Sequence, residues 1–379
     1  MKVISVPSEY CFIGNPVVLE LEVDTADPIT FSITALTYNK ELTGYPYKQG
    51  NIYCIQVQIQ DVLSSFFDNE FSIIDSDQII SRVNNLTMQY TVTANQMELI
   101  TGFALRGGIS KAAIKRLAQN NFDIFSYKIM NSFGQFIFTT RTFGTKIPIK
   151  DTELSNFLFL HPGATIRFVN NKGNSVSTSA LPRFTPCSMN IAAVYNQFLI
   201  QHGNESGQID VYVDTVLVFS FVITPGTVSE NNYAIRFRNS FGVFELIEVT
   251  GTPYQSPEFG EEKKYQTLTE YGFHEEHRQR VSHTDVLEME TGYKSRAEHS
   301  FVMDMIKSEE CYFIFPDGNE SRCLVSAENI KYQERMTTPS SIKLKVRMVD
   351  SEEYIGSGLD MTTIMEGRIF DPTFDNTFN

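Results

Sequence analysis

Three histidines in the last third of the chain have a spacing that could serve a metal ion. His274 and His277 are three residues apart, and His283 follows after a short interval. On a helix, two imidazoles at that spacing and a third nearby could reach one Zn²⁺. The alternative is a solvated face beside a domain boundary. We expect no metal or other cofactor, and we keep these three histidines as the candidate ligands if a metal is bound.

A group of carboxylates in the first third could serve Ca²⁺. The group comprises Asp68, Glu70, Asp75 and Asp77, in an expected loop. Carboxylate oxygens are ligands that Ca²⁺ prefers, but the spacing lacks the glycine and the terminal glutamate of an EF-hand loop. A solvated loop is therefore the preferred interpretation.

The sequence lacks the short motifs that accompany the common catalytic sites. It contains no Gly-x-Gly-x-x-Gly, Gly-x-x-x-x-Gly-Lys-Ser/Thr, His-Glu-x-x-His, Gly-x-Ser-x-Gly or Cys-x-x-Cys segment. We therefore predict no catalytic residues and a protein that is not an enzyme. A glycosidase pair of carboxylates is defined by separation in space, so a hydrolase stays open as an alternative.

A glycine pair, Gly107-Gly108, comes just before a predicted helix, and Ser110 is expected to cap that helix. Glycines before a helix can also hold an anion. Because no phosphate-binding motif surrounds the pair, a structural turn is the preferred interpretation.

Composition and charge narrow the class of protein. The 379 residues include 31 Lys+Arg and 45 Asp+Glu, and the net charge of −14 argues against binding the phosphate backbone of nucleic acid. The longest apolar stretch, residues 216–223, is far shorter than the roughly 20 residues that span a bilayer. The chain also reaches Pro7 and Glu9 before a secretory apolar region could form. We therefore expect a protein made in the cytoplasm without membrane insertion.

The cysteines are too few for a disulfide-rich scaffold and odd in number, which favours reduced, buried thiols. They are Cys11, Cys54, Cys187, Cys311 and Cys323. The last two flank an expected hairpin, so a disulfide between them is the alternative.

The first two thirds of the chain have the pattern of β-strands. Residues 17–23, 51–59 and 210–221 alternate or run apolar and are rich in β-branched and aromatic side chains. Turn sequences such as Asn170-Asn-Lys-Gly173 separate the strands. Short strands at this spacing are typical of Ig-like β-sandwiches.

An internal repeat supports two such modules. Residues 125–138 and 233–246 each contain an Asn-Ser-Phe-Gly turn between two strands. Asn131 and Asn239 tolerate left-handed geometry, and Gly134 and Gly242 can take a positive φ, so each tetrapeptide is expected to form a tight structural turn. A weaker echo at residues 59–63 and 191–195 predicts a short helical segment after a strand in each copy.

The last third predicts an α+β unit. We expect a strand at residues 285–290, an amphipathic helix at 296–307, a hairpin at 311–325 and a strand at 342–349. Phe301 and Met305 lie on the apolar side of the helix and are candidate subunit contacts.

The C-terminal tail adds three further candidate subunit contacts, Phe370, Phe374 and Phe378, which recur every four residues. They could dock into a neighbouring subunit, because the tail is too short and polar to form its own core. A frayed terminus is the alternative.

Several of these segments resemble structural proteins encoded in tail modules of phages and prophages of Bacteroidetes-type bacteria. The segments are residues 107–117, 122–125, 136–141, 153–154 and 235–251. The pattern from Thr291 to residue 349 is similar to ring-forming tail proteins of the distal-tail and tube-like kind. The resemblance implies a virion component near the tail tip, in a hexameric or trimeric ring with other tail proteins. Distal-tail proteins usually place the ring domain first, so which domain forms the ring stays open.

We therefore predict a mainly β chain of tandem β-sandwich (Ig-like) modules followed by an α+β, tail-tube-like domain. The predicted parts are a sandwich with a helical insertion at residues 1–157, a second sandwich repeating it at 158–259, the ring-forming unit at 260–356 and an extended tail at 357–379.

The leading functional interpretation is a non-enzymatic tail-tip or baseplate protein of the virion, assembled in the host cytoplasm and acting in assembly and host attachment. One alternative is a carbohydrate- or receptor-binding sandwich, in which exposed tyrosines stack on a host-surface glycan, since the chain has no Trp. A tail-associated hydrolase is the third interpretation.

Overall fold

The structure is a computed structural model. It describes residues 1–67, 72–74, 77–119, 137–141, 144–148, 156–203, 207–224, 233–295, 298–316, 318–327, 330 and 339–352. Strands make up 54% of the described residues and helices 11%, which confirms the prediction of a mainly β protein. None of the described helices has the length and apolar character needed to cross a membrane.

In chain order, the strands of the first half are β1 (Lys2–Ser5), β2 (Tyr10–Phe12), β3 (Val18–Val23), β4 (Ile29–Ala35), β5 (Tyr38–Gly44), β6 (Tyr47–Gln49), β7 (Ile52–Gln58), β8 (Ser72–Ile73), β9 (Ile80–Asn84), β10 (Thr87–Ala94), β11 (Met97–Leu105), β12 (Thr145–Pro148), β13 (Asn156–Leu160), β14 (Ile166–Asn170), β15 (Ser175–Thr178) and β16 (Pro186–Asn190). The remaining strands are β17 (Gly207–Val213), β18 (Val216–Thr224), β19 (Tyr233–Arg238), β20 (Phe244–Gln255), β21 (Glu258–Phe259), β22 (Lys264–Leu268), β23 (His274–Arg278), β24 (His283–Glu290), β25 (Cys311–Ile314), β26 (Glu320–Ala327) and β27 (Lys343–Glu352). The helices are α1 (Gln60–Ser64), α2 (Lys111–Gln119), α3 (Ile191–His202) and α4 (His299–Ile306).

The first unit is a pair of sheets with a shared core, as expected of a sandwich. Their strand orders are β1-β3-β7-β6 and β2-β11-β10-β4-β5. Buried positions alternate along β3 and β4, because successive side chains of a strand point to opposite faces. Leu19 and Ile55 from one sheet and Phe31, Ile33 and Val92 from the other are fully buried in this core.

The second unit also consists of two sheets, with orders β12-β18-β17-β14-β15 and β13-β16-β9-β8. Phe159 and Met189 from one sheet pack with Phe168, Val211 and Phe221 from the other, and all five are buried. The segment predicted as one strand over residues 210–221 forms two strands, β17 and β18. Asp214, at the turn between them, has a φ of 53°, which ends the extended conformation.

The third unit is one sheet that closes on itself. Its order is β20-β19-β25-β26-β27-β24-β21, and the long strand β20 also pairs with β24, so the two sides of the sheet meet. The helix α4 packs Phe301, Val302 and Met305 against Phe237 and Phe313 from the sheet. The unit is thus α+β, as its sequence predicted.

The strand pairings place the boundaries between units differently from the predictions at residues 157 and 259. The pairing of Ser81 with Ser188 joins β9 to β16, so the second unit includes residues 72–84 from well before residue 158. The pairing of Phe237 with Cys311 joins β19 to β25, so the third unit begins by residue 233. Both corrections have one cause: hydrogen bonds between strands distant in sequence decide which sheet a strand joins.

The predicted helices are present with small shifts. Helices α1 and α3 follow β7 and β16, as the echo predicted. Helix α2 starts after Ser110, whose hydroxyl accepts a hydrogen bond from the Ala113 amide at 3.2 Å and so caps the helix. Helix α4 is shorter than the predicted segment 296–307.

An apolar cluster, which we call the junction cluster, joins the three units. Phe12 and Leu105 come from the first unit, Leu158 and Leu160 from the second, and Val243 precedes β20 of the third, and all are buried. Burial of side chains of this size contributes about 1.5–3 kcal/mol each. The units therefore share one continuous core at this point.

Candidate functional site

The most exposed apolar surface of the described residues is a two-stranded ribbon formed by β22 and β23, which we call the ribbon hairpin (residues 264–278). It leaves the third unit between β21 and β24 and pairs with no other strand of the described residues. Tyr265 is 51% exposed, Leu268 67%, Tyr271 86% and Phe273 72%. Tyr265 and Leu268 lie on opposite faces of the ribbon, so both faces carry exposed apolar groups. Large exposed apolar groups often mark interaction surfaces in folded proteins.

Local contacts hold the ribbon hairpin in its shape. The Thr269 amide donates to the Phe273 carbonyl at 2.8 Å, and Gly272 closes the turn with a φ of 80°. The Tyr265 ring stacks on the His277 ring with centroids 5.4 Å apart. On a two-stranded ribbon such contacts give at best marginal stability in water, so a further surface is needed to fix it.

The histidines proposed as metal ligands are divided between faces. The stretch from His274 to Arg278 is a strand, so His274 and His277 do not have the helical spacing on which the candidate zinc site depends. Residues three apart on a strand point to opposite faces: His274 lies opposite Leu268 and His277 opposite Tyr265. Among the described residues no three His, Cys, Asp or Glu side chains come together as a metal site.

Phe301 and Met305, predicted as subunit contacts, are buried inside the third unit and are not available to a neighbour. Phe301 is 4% exposed and Met305 is 0% exposed. The reason is that the closed sheet needs an apolar filling, which α4 supplies. The other predicted contacts, Phe370, Phe374 and Phe378, lie outside the described residues.

The predicted turn at Asn239 is formed and reaches beyond its own hairpin. The Asn239 Oδ1 accepts hydrogen bonds from the amides of Phe241 at 2.9 Å and Val243 at 3.2 Å. Its Nδ2 donates to the Phe138 carbonyl at 2.8 Å. Gly242 has the expected positive φ, 78°. The first copy of this turn, with Asn131 and Gly134, lies outside the described residues.

A buried ion pair lies beside this turn. The Arg141 Nε donates to the Glu245 carboxylate at 2.9 Å, and the Asn239 Nδ2 donates to the same carboxylate at 2.6 Å. The Arg141 guanidinium also lies 3.9 Å from the centre of the Phe301 ring. Burial raises the pKa of the Glu245 carboxyl, while Arg141 and Asn239 act in the opposite direction. This network ties residues 137–141 to the third unit.

Asp304 on α4 fixes the same turn from the other side. Its carboxylate accepts from the Ser240 amide at 3.1 Å and from the Thr140 hydroxyl at 2.9 Å. The Ser240 hydroxyl also donates to it. The Asn-Ser-Phe-Gly turn at residues 239–242 therefore connects residues 137–141 with α4.

The glycine pair at Gly107-Gly108 packs against this turn. The Gly108 amide donates to the Ser240 carbonyl at 2.7 Å, so it already has an acceptor. Gly107 has a φ of 75°, and a Cβ there would lie 2.2 Å from the Phe241 carbonyl carbon. These contacts support the structural-turn interpretation over an anion site.

A cleft of about 830 Å³ lies beside the glycine pair, and Asp304 of α4 is part of its wall. Its lining includes Arg238, Lys307, Arg322, Glu309 and Glu310. Arg238 pairs with Glu310 at 2.6 Å, so the cleft holds charges of both signs. The arrangement does not select an anion.

A second cleft of about 830 Å³ lies in the second unit. Five side-chain amides line it, and we call it the amide cleft: Gln78, Asn156, Asn190, Asn196 and Gln197. Asp77 also lines it, whereas Asp68, Glu70 and Asp75 of the predicted calcium loop lie outside the described residues. Nothing in the sequence pattern had pointed to these amides, because they are brought together from three distant segments.

The cysteines are free thiols. Cys311 and Cys323 lie directly opposite each other on β25 and β26, and no disulfide joins them. Burial, followed by the neighbouring Cys311, raises the pKa of the Cys323 thiol to about 12. A thiol with such a pKa stays protonated near neutral pH and is a poor nucleophile.

Comparison with models of known protein families gives no match. Comparison with curated proteins gives no match either.

Proposed function

We propose that this chain is a non-enzymatic structural subunit that assembles with copies of itself into a ring through the ribbon hairpin. The observation that carries the proposal is the exposure of Tyr265, Leu268, Tyr271 and Phe273 on a ribbon without a supporting sheet among the described residues. Covering these side chains in a neighbouring subunit would remove apolar surface from water and stabilise the ribbon.

The closed sheet of the third unit supports this mode of assembly. Because β20 pairs with β24, this sheet offers no long free edge to which a neighbour could add a strand. A projecting element that contacts a different patch on the next subunit makes a head-to-tail interface. Such an interface generates a closed ring when the rotation between successive subunits completes a full turn. The ring number that we propose is six or three.

The setting that we propose is the tip or baseplate of a phage tail. The resemblance of residues 107–117, 235–251 and 291–349 to tail-module proteins supports it, with other tail proteins as partners. In this proposal the third unit is the ring-forming, tube-like domain. The first two units are Ig-like modules that lie on the outside of the ring and face the host surface.

The test is the mass of the purified protein by size-exclusion chromatography with light scattering. We expect wild-type oligomers and, for the double variant Tyr271→Ser/Phe273→Ser, a shift toward monomer, with an unchanged circular dichroism spectrum. Tyr45→Ser is the matched control, because Tyr45 is 73% exposed on the first unit, and it should leave the mass unchanged. A monomeric wild type at high concentration would contradict the proposal.

The phage setting has its own test. Antibodies against the purified chain should label one end of the tail in particles induced from a host that encodes it. Particles that lack the chain would remove the virion setting and leave self-assembly as a separate question.

The same exposed aromatic side chains favour a second candidate, stacking on sugar rings. In that case the double variant would lose binding on a glycan array while its oligomeric mass stayed the same. The two measurements together therefore separate the candidates.

A further inference from the structure

The lining of the amide cleft combines side-chain amides and hydroxyls with apolar side chains. It is formed by the segment before β9, the start of β13 and the first turns of α3. Ile79, Leu181, Ala192 and Ala193 supply an apolar part of the wall. Its volume of about 830 Å³ falls within the range of small-molecule sites.

The charges of the lining restrict the class of ligand. No Lys or Arg is found among the described residues that line the amide cleft, and Asp77 is the acidic residue there. A phosphate or carboxylate ligand would need cationic partners, which this lining does not supply. The ligand that fits is therefore neutral.

The hydrogen-bonding groups of the amide cleft narrow the class of ligand further. Each side-chain amide offers a donor NH₂ and an acceptor oxygen, and the Thr178 and Ser179 hydroxyls offer both as well. Hydroxyl groups of a ligand are also both donors and acceptors, so a polyhydroxylated ligand can satisfy such a lining.

One group of the lining lacks a partner. The Asn156 Oδ1 is buried and accepts no hydrogen bond in the described part of the chain. A buried acceptor in this state costs about 1–3 kcal/mol unless a donor reaches it. The Asn190 side chain, by contrast, is already engaged, because its Oδ1 accepts from the Ala193 amide at 2.9 Å and caps α3. Among the described residues, the Asn156 Oδ1 thus remains an acceptor that a ligand hydroxyl could satisfy.

We propose that the amide cleft binds a neutral oligosaccharide, with Asn156 accepting a hydrogen bond from a sugar hydroxyl and Asn196 contributing a second contact. The C–H face of a sugar would lie against Leu181, Ala192 and Ala193. This inference is independent of ring formation, since the cleft belongs to the second unit and the ribbon hairpin to the third.

The test uses saturation-transfer NMR with the full chain and a panel of neutral trisaccharides: maltotriose, cellotriose, xylotriose and tri-N-acetylchitotriose. Glucose 6-phosphate is the anionic comparison. We expect transfer to at least one neutral trisaccharide, and no transfer to glucose 6-phosphate. Absence of transfer from every member of the panel at millimolar concentration would overturn the proposal.

Variants assign the binding to the cleft. Asn196→Ala should weaken the affinity about tenfold, as expected for the loss of one hydrogen bond to the ligand. Asn156→Ala is a second, independent variant of the lining, and it should also weaken the affinity. Gln89→Ala, an exposed amide on β10, is the matched control. The variant Tyr271→Ser/Phe273→Ser must retain binding; equal loss in this variant, or full retention in both cleft variants, would place the sugar elsewhere and refute the proposal.

Discussion

Glu245 shows how one side chain connects separate parts of this protein. Its carboxylate is 5% exposed and is held by Arg141 and Asn239, of which Arg141 comes from the segment before β12. Removing either partner would leave a buried charge or polar group unsatisfied, and such losses are among the most destabilising in proteins. The residues of this network therefore hold segments in place.

The raised pKa of Glu245 predicts a specific dependence of stability on pH. Because burial raises the pKa in the folded state, the folded protein binds this proton more tightly than the unfolded chain. Its contribution to stability is thus present below the ordinary carboxyl pKa and is lost as pH rises toward the higher folded value. We expect Glu245→Gln to reduce the fall in the free energy of unfolding over that pH range, measured by urea titration.

Glu41→Gln is the matched control for this measurement, because Glu41 is exposed on β5. It should leave the pH profile of wild type unchanged. Parallel profiles for wild type and Glu245→Gln would show that Glu245 titrates with an ordinary pKa.

At the scale of elements, the turn at residues 239–242 and the glycine pair act as one connection. Gly107 approaches the backbone of Phe241, and Asp304 on α4 holds Ser240. The glycine pair and the turn are each formed by residues near in sequence. Gly107 comes close to Phe241 only because the tertiary structure brings the two segments together. The sequence predicted both turns, and it did not indicate that they touch.

Two glycines with similar backbone conformations separate the cost of a left-handed backbone from the cost of a steric clash. Gly107 and Gly173 have φ values of 75° and 83°, but a Cβ on Gly173 would meet nothing within 4 Å. We expect Gly173→Ala to cost about 1–2 kcal/mol from backbone conformation alone. Gly107→Ala should cost about 1–3 kcal/mol more, because its Cβ collides with backbone. Equal losses in chemical denaturation would show that the close approach is absent.

At the scale of the molecule, the junction cluster determines whether the units unfold together. The Phe241 ring lies between units, with its centroid 6.0 Å from that of Phe12 and 6.2 Å from that of Phe138. Apart from the junction cluster, the cores of the three units are separate clusters of buried side chains. Cooperative unfolding therefore depends on the junction cluster and on the hydrogen bonds around the turn at residues 239–242.

We expect Phe241→Ala to lower stability by about 3 kcal/mol and to split the thermal transition in calorimetry, because the first and third units lose their shared contact. Phe315→Ala is the matched control. Phe315 packs on the core of the third unit, 4.9 Å from Phe313, so its loss should lower stability without separating the transitions. A single transition in Phe241→Ala would assign the coupling to other contacts.

The sequence by itself determined the local features of this protein. Alternation predicted strands such as β3 and β27, and the capping position of Ser110 and the Asn-Gly geometry at residues 239–242 were predicted from residue type. These features depend on neighbours in sequence, which is why they could be predicted. The helix on which a zinc site at His274 and His277 would depend is not formed, because pairing with β22 makes the stretch from His274 to Arg278 a strand.

Tertiary structure alone decided which strands share a sheet, where the units divide and which polar groups meet. Residues 80–82 pair with residues 187–189, and Asn156, Asn190 and Asn196 converge with Gln78 in one cleft. It also decided that Phe301 and Met305 face inward while Tyr271 and Phe273 face water. The physical reason is that long-range hydrogen bonds and burial depend on the whole arrangement of the chain, and no local pattern records them.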